Sequence, residues 1–117
     1  MNKRLIDLLK KNKRTVIGIL SGTSIDAVDA VLLQIIGSGI KTKIKVIDFT
    51  EITMPQQVRL AVFKNSDKKT ASIEEISRLN VILGALFSDA VLKLLKRNSM
   101  QAASVDLIGS HGQTIHH

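Results

Sequence analysis

Apolar residues fall in short runs over the first half of the chain and at helical spacing over the second. Thr15 to Leu20 is nearly all apolar and partly β-branched, which predicts a buried strand. Ser21 to Asp26 is small and polar and predicts a tight connection. "AVDAVLLQII" (27–36) predicts a second strand, ended by Gly37-Ser38-Gly39, and "KTKIKVIDFT" (41–50) a third. In the third, Lys41, Lys43 and Lys45 alternate with Thr42, Ile44 and Val46, so one face is expected wet and the other dry. Short turns between three strands imply an antiparallel meander.

After Met54 the period changes. Pro55 precedes "QQVRLAVFKN", a short helix with Pro in its first turn, and Asn65 to Thr70 is expected as a polar loop. Ser72 and Glu75 have the spacing of a capping box. Ile76, Leu79, Leu83, Leu86, Phe87, Ala90 and Leu94 then recur at helical spacing, and Lys93, Lys96 and Arg97 suit the negative end of the helix dipole. A long helix over about 72–97 follows. Gly84-Ala85 in its middle would cost about 1 kcal/mol for the glycine and is expected to mark the close approach of another backbone. "SVDLIG" (104–109) predicts a fourth strand, placed parallel to an earlier one by the long helical crossover.

Composition narrows the class. A chain of 117 residues with 44% apolar content suits one α/β domain with a single core. Three Phe, no Tyr and no Trp leave that core to Ile, Leu and Val. Without cysteine there is no disulfide framework and no thiolate metal site, which suits a reducing cytoplasm. No apolar stretch reaches the roughly 18 residues of a membrane span. The N-terminus has no apolar h-region or cleavage site and is not expected to be a signal peptide. The net charge of +7 is concentrated at the start: residues 1–14 carry +5 and the remainder +2. Segment 1–14 is expected as a basic N-terminal extension, helical, with Leu5, Ile6, Leu8 and Leu9 as its stripe. It is either a solvated lead-in or a weak contact for an acidic surface. Few aromatics and no recognition motif argue against nucleic acid.

The candidate chemistry lies at two strand ends. In "SGTSIDAVD" (21–29) a turn after a buried strand aims backbone N–H groups into one concavity, an arrangement that binds anions, phosphate above all. Gly22 permits close approach, and Ser21, Thr23 and Ser24 add hydroxyls. Asp26 and Asp29 would oppose phosphate unless Mg²⁺ intervened. A plain hairpin turn chosen for its turn chemistry explains the same residues. It is not a Walker loop, because no Lys follows the glycine. In "GSHGQT" (109–114) polar groups stand where ligands sit in α/β sheets, with His111 within the run, and an ordinary loop histidine is the alternative. His116 and His117 do not make a zinc site by themselves.

Together, "IGILSGTSIDAVDAVLL" and "DLIGSHGQTIHH" closely resemble the N-terminal lobe of the anhydro-N-acetylmuramic acid kinase family, part of the actin-like and hexokinase-like ATPase superfold. The resemblance covers about residues 15–117 and includes the order of elements. It implies a ribonuclease-H-like lobe, present here only as its start. It implies an ATP phosphate loop over Gly22, Thr23, Ser24, Ile25, Asp26, Ala27, Val28 and Asp29, with Asp26 and Asp29 toward Mg²⁺. His111, Gly112, Gln113 and Thr114 would line the sugar side of the cleft. Enzymes of this kind open the 1,6-anhydro bridge of anhydro-N-acetylmuramate and phosphorylate O6, feeding peptidoglycan recycling in the cytoplasm. The implied partners are ATP and an amino sugar, with no nucleic acid and no membrane; a homodimer at full length is compatible with the resemblance. The family's aspartate base lies downstream of this segment, so no catalytic residue is assigned here. Ala27 stands where the family usually has Gly, which would cost about 1 kcal/mol or more if that position needs positive φ and little if it needs only a small side chain. A truncated, non-catalytic remnant keeping only the phosphate-binding hairpin is the competing expectation.

Overall fold

The computed structural model describes residues 3–116; His117 lies outside the described residues. Helix α1 (Lys3–Lys10) leads into β1 (Lys13–Ser21), β2 (Ala27–Ile36) and β3 (Lys43–Thr53). Helices α2 (Gln56–Ser66) and α3 (Ile73–Arg97) follow, and β4 (Leu107–Gln113) completes a four-stranded sheet of order β3-β2-β1-β4. β1–β2 and β2–β3 are antiparallel, while β4 runs parallel to β1. The long α3 makes that parallel return possible, as its length predicts.

Cross-strand pairing defines the covered face. Ile17 stands opposite Leu32, Ile19 opposite Ala30, and Val28 opposite Ile52. Directly opposed residues share a face, and these pack with Val62 of α2 and with Leu79, Leu83, Ala90 and Leu94 of α3 in one core. Apolar burial at roughly 25 cal/mol per Å² is what holds the helices there. On the other face Leu20, Phe49 and Leu107 remain exposed.

Several local expectations are corrected. The third strand begins at Lys43 because Gly39–Lys41 forms a single 3₁₀ turn, and it runs on to Thr53. Ile44 and Val46 are each 62% exposed, so the expected dry face is wet. Their alternation is real, but they sit on the uncovered face opposite Ile35 and Leu33. A bulge between the Leu32–Asp48 and Leu33–Val46 pairs then makes Ile47 an extra residue and resets the alternation. Asn65 is buried inside α2 rather than opening a loop. Its amide donates to Ala61 O (2.9 Å) and Glu75 Oε2 (2.9 Å), and its Oδ1 accepts from Ser72 N–H (2.8 Å). The capping box is thus half formed. Ser72 Oγ accepts from Glu75 N–H (3.4 Å), while the Glu75 carboxylate turns to Asn65 and Lys64 instead of Ser72. Nothing lies within 4 Å of where a Gly84 Cβ would stand, so no backbone approaches there. The fourth strand begins at Leu107, after a 3₁₀ turn over Ala102–Ser104, and carries the SHGQ residues within it.

The basic N-terminal stretch is tied to the sheet. Lys13 and Arg14 are already residues of β1. Arg14 donates to Leu8 O (3.0 Å) and Leu9 O (3.1 Å), carbonyls of the last turn of α1, and to Gly37 O (3.4 Å). Lys11 pairs with Asp106, whose other oxygen accepts from Thr15 N–H (2.8 Å). Burial raises the Asp106 pKa, but the Lys11 and Thr15 hydrogen bonds bring it below the ordinary value.

Candidate functional site

The carboxyl ends of β1 and β4 lie side by side, and both polar motifs are there. β1 closes on Ser21, which is fully buried. The turn to β2 centres on Thr23 and Ser24, and Ile25 N–H closes it by donating to Gly22 O (3.3 Å). Ile25 has φ +54°, a conformation unfavourable for a β-branched residue. It persists because the surroundings over-determine it. The Ile25 side chain is only 3% exposed and belongs to the core, and Asp26 O accepts from Met54 N–H (2.8 Å). A Cβ on Gly22 would meet nothing within 4 Å, so this backbone is open to approach.

Asp26 accepts from Ser24 Oγ (2.6 Å). That bond, with help from the Arg59 charge, holds its carboxyl below the ordinary range. Arg59, on α2, donates to Ser24 O (3.4 Å) and lies over the Phe63 ring at 5.2 Å. Arg59 stands in no motif of the sequence; its local signal is an aromatic four residues on, the spacing that places two side chains on one helix face.

Asp29 belongs to β2, opposite Leu20, between the core residues Val28 and Ala30. Strand alternation therefore puts it on the uncovered face. There it lines a cavity of about 470 Å³ with Gly18, Leu20, Phe49, Gly109 and His111. Asp26 looks toward α2 and Asp29 away from it. Among the described residues no cluster of three or more His, Asp or Glu could hold a metal. Val28 is wholly buried and Ile25 nearly so, and neither offers a ligand its side chain. Ala27 is an ordinary strand residue opposite Thr53, and the positive φ falls at Ile25; the strain foreseen for Ala27 does not arise.

On β4, Ser110 stands opposite Ile19 but Gln113 opposite Ser21, so β4 carries one extra residue. The bulge is built on Gly112 (φ +78°), which only glycine adopts readily, and Gly112 N–H donates to Ser110 Oγ (3.2 Å). It distributes the segment among three surroundings. His111 faces the cavity of Asp29. Gly112 and Gln113 line one of about 320 Å³ against Asn80, Leu83 and Gly84 of α3. Thr114 lines one of about 290 Å³ with Thr23, Ile25 and Phe63. A wider cavity of about 700 Å³ lies away from the turn, between α1 and Asp106.

Gln113 joins the two motifs. Its Oε1 accepts from Ser21 Oγ, and its Nε2 donates to Gly22 O (3.0 Å) and Thr114 O (2.9 Å).

A mixed sheet with helices on one face, and a polar turn beside a polar strand end, defines an α/β lobe compatible with part of an actin-like ATPase. The family is more specific than the fold. The model of the anhydro-N-acetylmuramic acid kinase family matches residues 14–117, and the chain belongs to that family. It is 40% identical over 114 residues to the anhydro-N-acetylmuramic acid kinase of Caldanaerobacter subterraneus subsp. tengcongensis, covering 97% of this chain and 29% of that protein. The protein of the same name from Salinibacter ruber is 35% identical over 113 residues, covering 97% of this chain and 28% of the relative. The one from Clostridioides difficile is 40% identical over 101 residues, covering 86% and 26%. The chain thus spans under a third of the length of these relatives.

Proposed function

We propose that this chain supplies the phosphate-binding strand ends of an ATP-dependent sugar kinase. The reaction is opening of the 1,6-anhydro ring of anhydro-N-acetylmuramic acid with phosphorylation at O6, giving N-acetylmuramic acid 6-phosphate for peptidoglycan recycling. The supporting observation is the juxtaposition of the Gly22–Asp26 turn with the His111–Thr114 segment across the parallel β1–β4 pair. Phosphoryl transfer is mainly positioning and charge stabilisation, so two binding surfaces in fixed register are what such an enzyme needs.

In this reading the backbone N–H groups of Thr23 and Ser24 and the Thr23 hydroxyl receive phosphate oxygens. Gly22 keeps that approach clear, and Ala27, Val28 and Asp29 anchor the turn to the sheet. The phosphoryl group and the charge that neutralises it come from ATP and Mg²⁺. Mg²⁺ commonly takes only one or two carboxylates, with phosphate oxygens and water completing its shell. Asp26 and Asp29 suit that role singly, since they look to different sides. His111 and Thr114 are the side chains offered to the sugar, with Gly112 shaping the bulge between strand and cleft. A base must still activate the attacking water, and the segment leaves that to residues outside it. The setting is the cytoplasm; no helix among the described residues is long and apolar enough to cross a membrane.

The test is ADP release with anhydro-N-acetylmuramic acid as acceptor, run on residues 1–117 and on a chimera completed with the remaining sequence of the Caldanaerobacter relative. The chain alone should give no turnover and the chimera sugar-dependent turnover. An inactive but folded chimera that binds neither nucleotide nor sugar would overturn the assignment. Nucleotide binding without turnover would favour the remnant reading.

A further inference from the structure

Gln113 belongs to the segment expected to meet the sugar, yet its amide is already engaged within the protein. The carbonyl oxygen accepts from the fully buried Ser21 hydroxyl, and the NH₂ group donates to Gly22 O (3.0 Å) and Thr114 O (2.9 Å). An amide has two donors and one acceptor oxygen, and here both ends are used. Gly22 O is also the acceptor that closes the turn, receiving Ile25 N–H at 3.3 Å. One carbonyl therefore carries the turn closure and the link to β4.

The consequence follows from peptide geometry. The peptide bonds of the described residues include no cis bond. In a planar trans peptide the N–H points opposite to the C=O. Gln113 and Ile25 together hold Gly22 O inward, so Thr23 N–H must point outward, into the space that Gly22 leaves open. The Gly112 bulge is what brings Gln113 opposite Ser21. Without the extra residue, strand alternation would put a different side chain there.

We infer that Gln113 is a positioning residue of the anion turn rather than a sugar contact: it fixes the Gly22–Thr23 peptide so that Thr23 N–H faces the ligand. This deepens the phosphate role proposed above and rests on it for the nature of the ligand, but the aim of the peptide is testable without any ligand.

Amide exchange and ¹⁵N spectra of the 117-residue chain would be compared for the parent, Gln113→Glu, Gln113→Leu and Ser21→Ala. Glu keeps an acceptor for Ser21 but, ionised at neutral pH, has no donor for Gly22 O; Ser21→Ala removes only the Ser21 arm. The Gln113→Glu chain should exchange its Ile25 amide about tenfold or more faster than the parent, while Ile17 and Leu32 amides stay within about threefold. Gln113→Leu should match it, and Ser21→Ala should leave Ile25 near the parent rate. Should the leucine variant not fold, Gln113→Glu carries the comparison. Parent-like Ile25 exchange in a folded Gln113→Glu chain would overturn the inference, and so would a Ser21→Ala effect as large as that of Gln113→Glu. In the second arm, Mg²⁺–ADP should shift the Thr23 amide of the parent and bind the Gln113→Glu chain about tenfold more weakly. No shift in the parent would count against the nucleotide reading alone, and Ile25 exchange would still decide the role of Gln113.

Discussion

Ile25 and Ala27 exchange the roles that composition gives them. The family resemblance draws attention to Ala27, a methyl group where it implies glycine. In the structure Ala27 is an extended residue of β2, and Ile25, two positions earlier, adopts the left-handed conformation. Glycine at 27 therefore relieves nothing and adds backbone freedom to a strand, which costs about 0.5–1 kcal/mol. Ala27→Gly is expected to lower the melting temperature slightly and to leave ligand affinity unimproved. At 25 two effects compete. Glycine would recover about 1–2 kcal/mol of left-handed strain but forfeit a buried isoleucine, for which truncation typically costs about 2–5 kcal/mol. Ile25→Gly is expected to be the more destabilising change, with denaturant midpoints for the two variants deciding the order. A gain in stability for Ile25→Gly would mean that the turn, and not the core contact, controls this position.

Between elements, the C-terminus of α3 is fastened to the bulge of β3. Arg97 and Asn98 both donate to Asp48, and Arg97 also reaches Phe49 O. Led by the Arg97 hydrogen bond, these contacts hold the Asp48 carboxyl well below its usual range. A depressed folded-state pKa contributes stability that is present above the unfolded value, near 3.8, and is lost as pH falls through the folded one. Glu75 (through Lys64 and Asn65) and Asp106 act in the same direction. The melting temperature should therefore hold between about pH 7 and 5 and decline below about 4. Arg97→Met should lower it at neutral pH and make the acid decline shallower without abolishing it; an unchanged acid slope would remove Asp48 from the account. The exposed pair is expected to contribute modestly. The strands themselves were legible in the sequence, because apolar runs of Ile, Leu and Val between polar turns leave little choice. The Ile47 bulge was not, since register depends on which strand lies opposite and on what covers it. The hydrogen bonds of Gln113 were not legible for a related reason. Its partners Ser21 and Gly22 lie more than ninety residues away, and only the Gly112 bulge brings them together. The long helix was legible throughout, apart from Gly84, where a missing side chain marks open space as readily as a close contact.

For the molecule as a whole, the decisive feature is one uncovered sheet face. Helices α2 and α3 bury Ile17, Ile19, Val28 and Leu32, while Leu20, Ile44, Val46, Phe49 and Leu107 stay exposed. β3 and β4 are edge strands, and an edge leaves unpaired N–H and C=O groups that can template pairing with another chain. Covering a large apolar side chain contributes about 1.5–3 kcal/mol, so a few such contacts can offset the entropy of association. The net charge of +7 opposes self-association, but five of those charges lie in residues 1–14, where Lys11 and Arg14 are tied to Asp106 and to backbone carbonyls. Little of the repulsion therefore falls on the apolar face. Residues 1–117 are expected to form concentration-dependent oligomers through this face, with higher salt strengthening them as charge repulsion is screened. Val46→Lys with Phe49→Lys should shift the chain toward monomer in sedimentation velocity while leaving the helical far-ultraviolet signal intact, since neither residue belongs to the α3 core. A monodisperse, cooperatively melting monomer at high concentration would show that the sheet is self-sufficient as it stands. Oligomers that persist unchanged in the double variant would move the contact to the β3 or β4 edge, where a proline at a ladder position of β4 would be the next discriminating change.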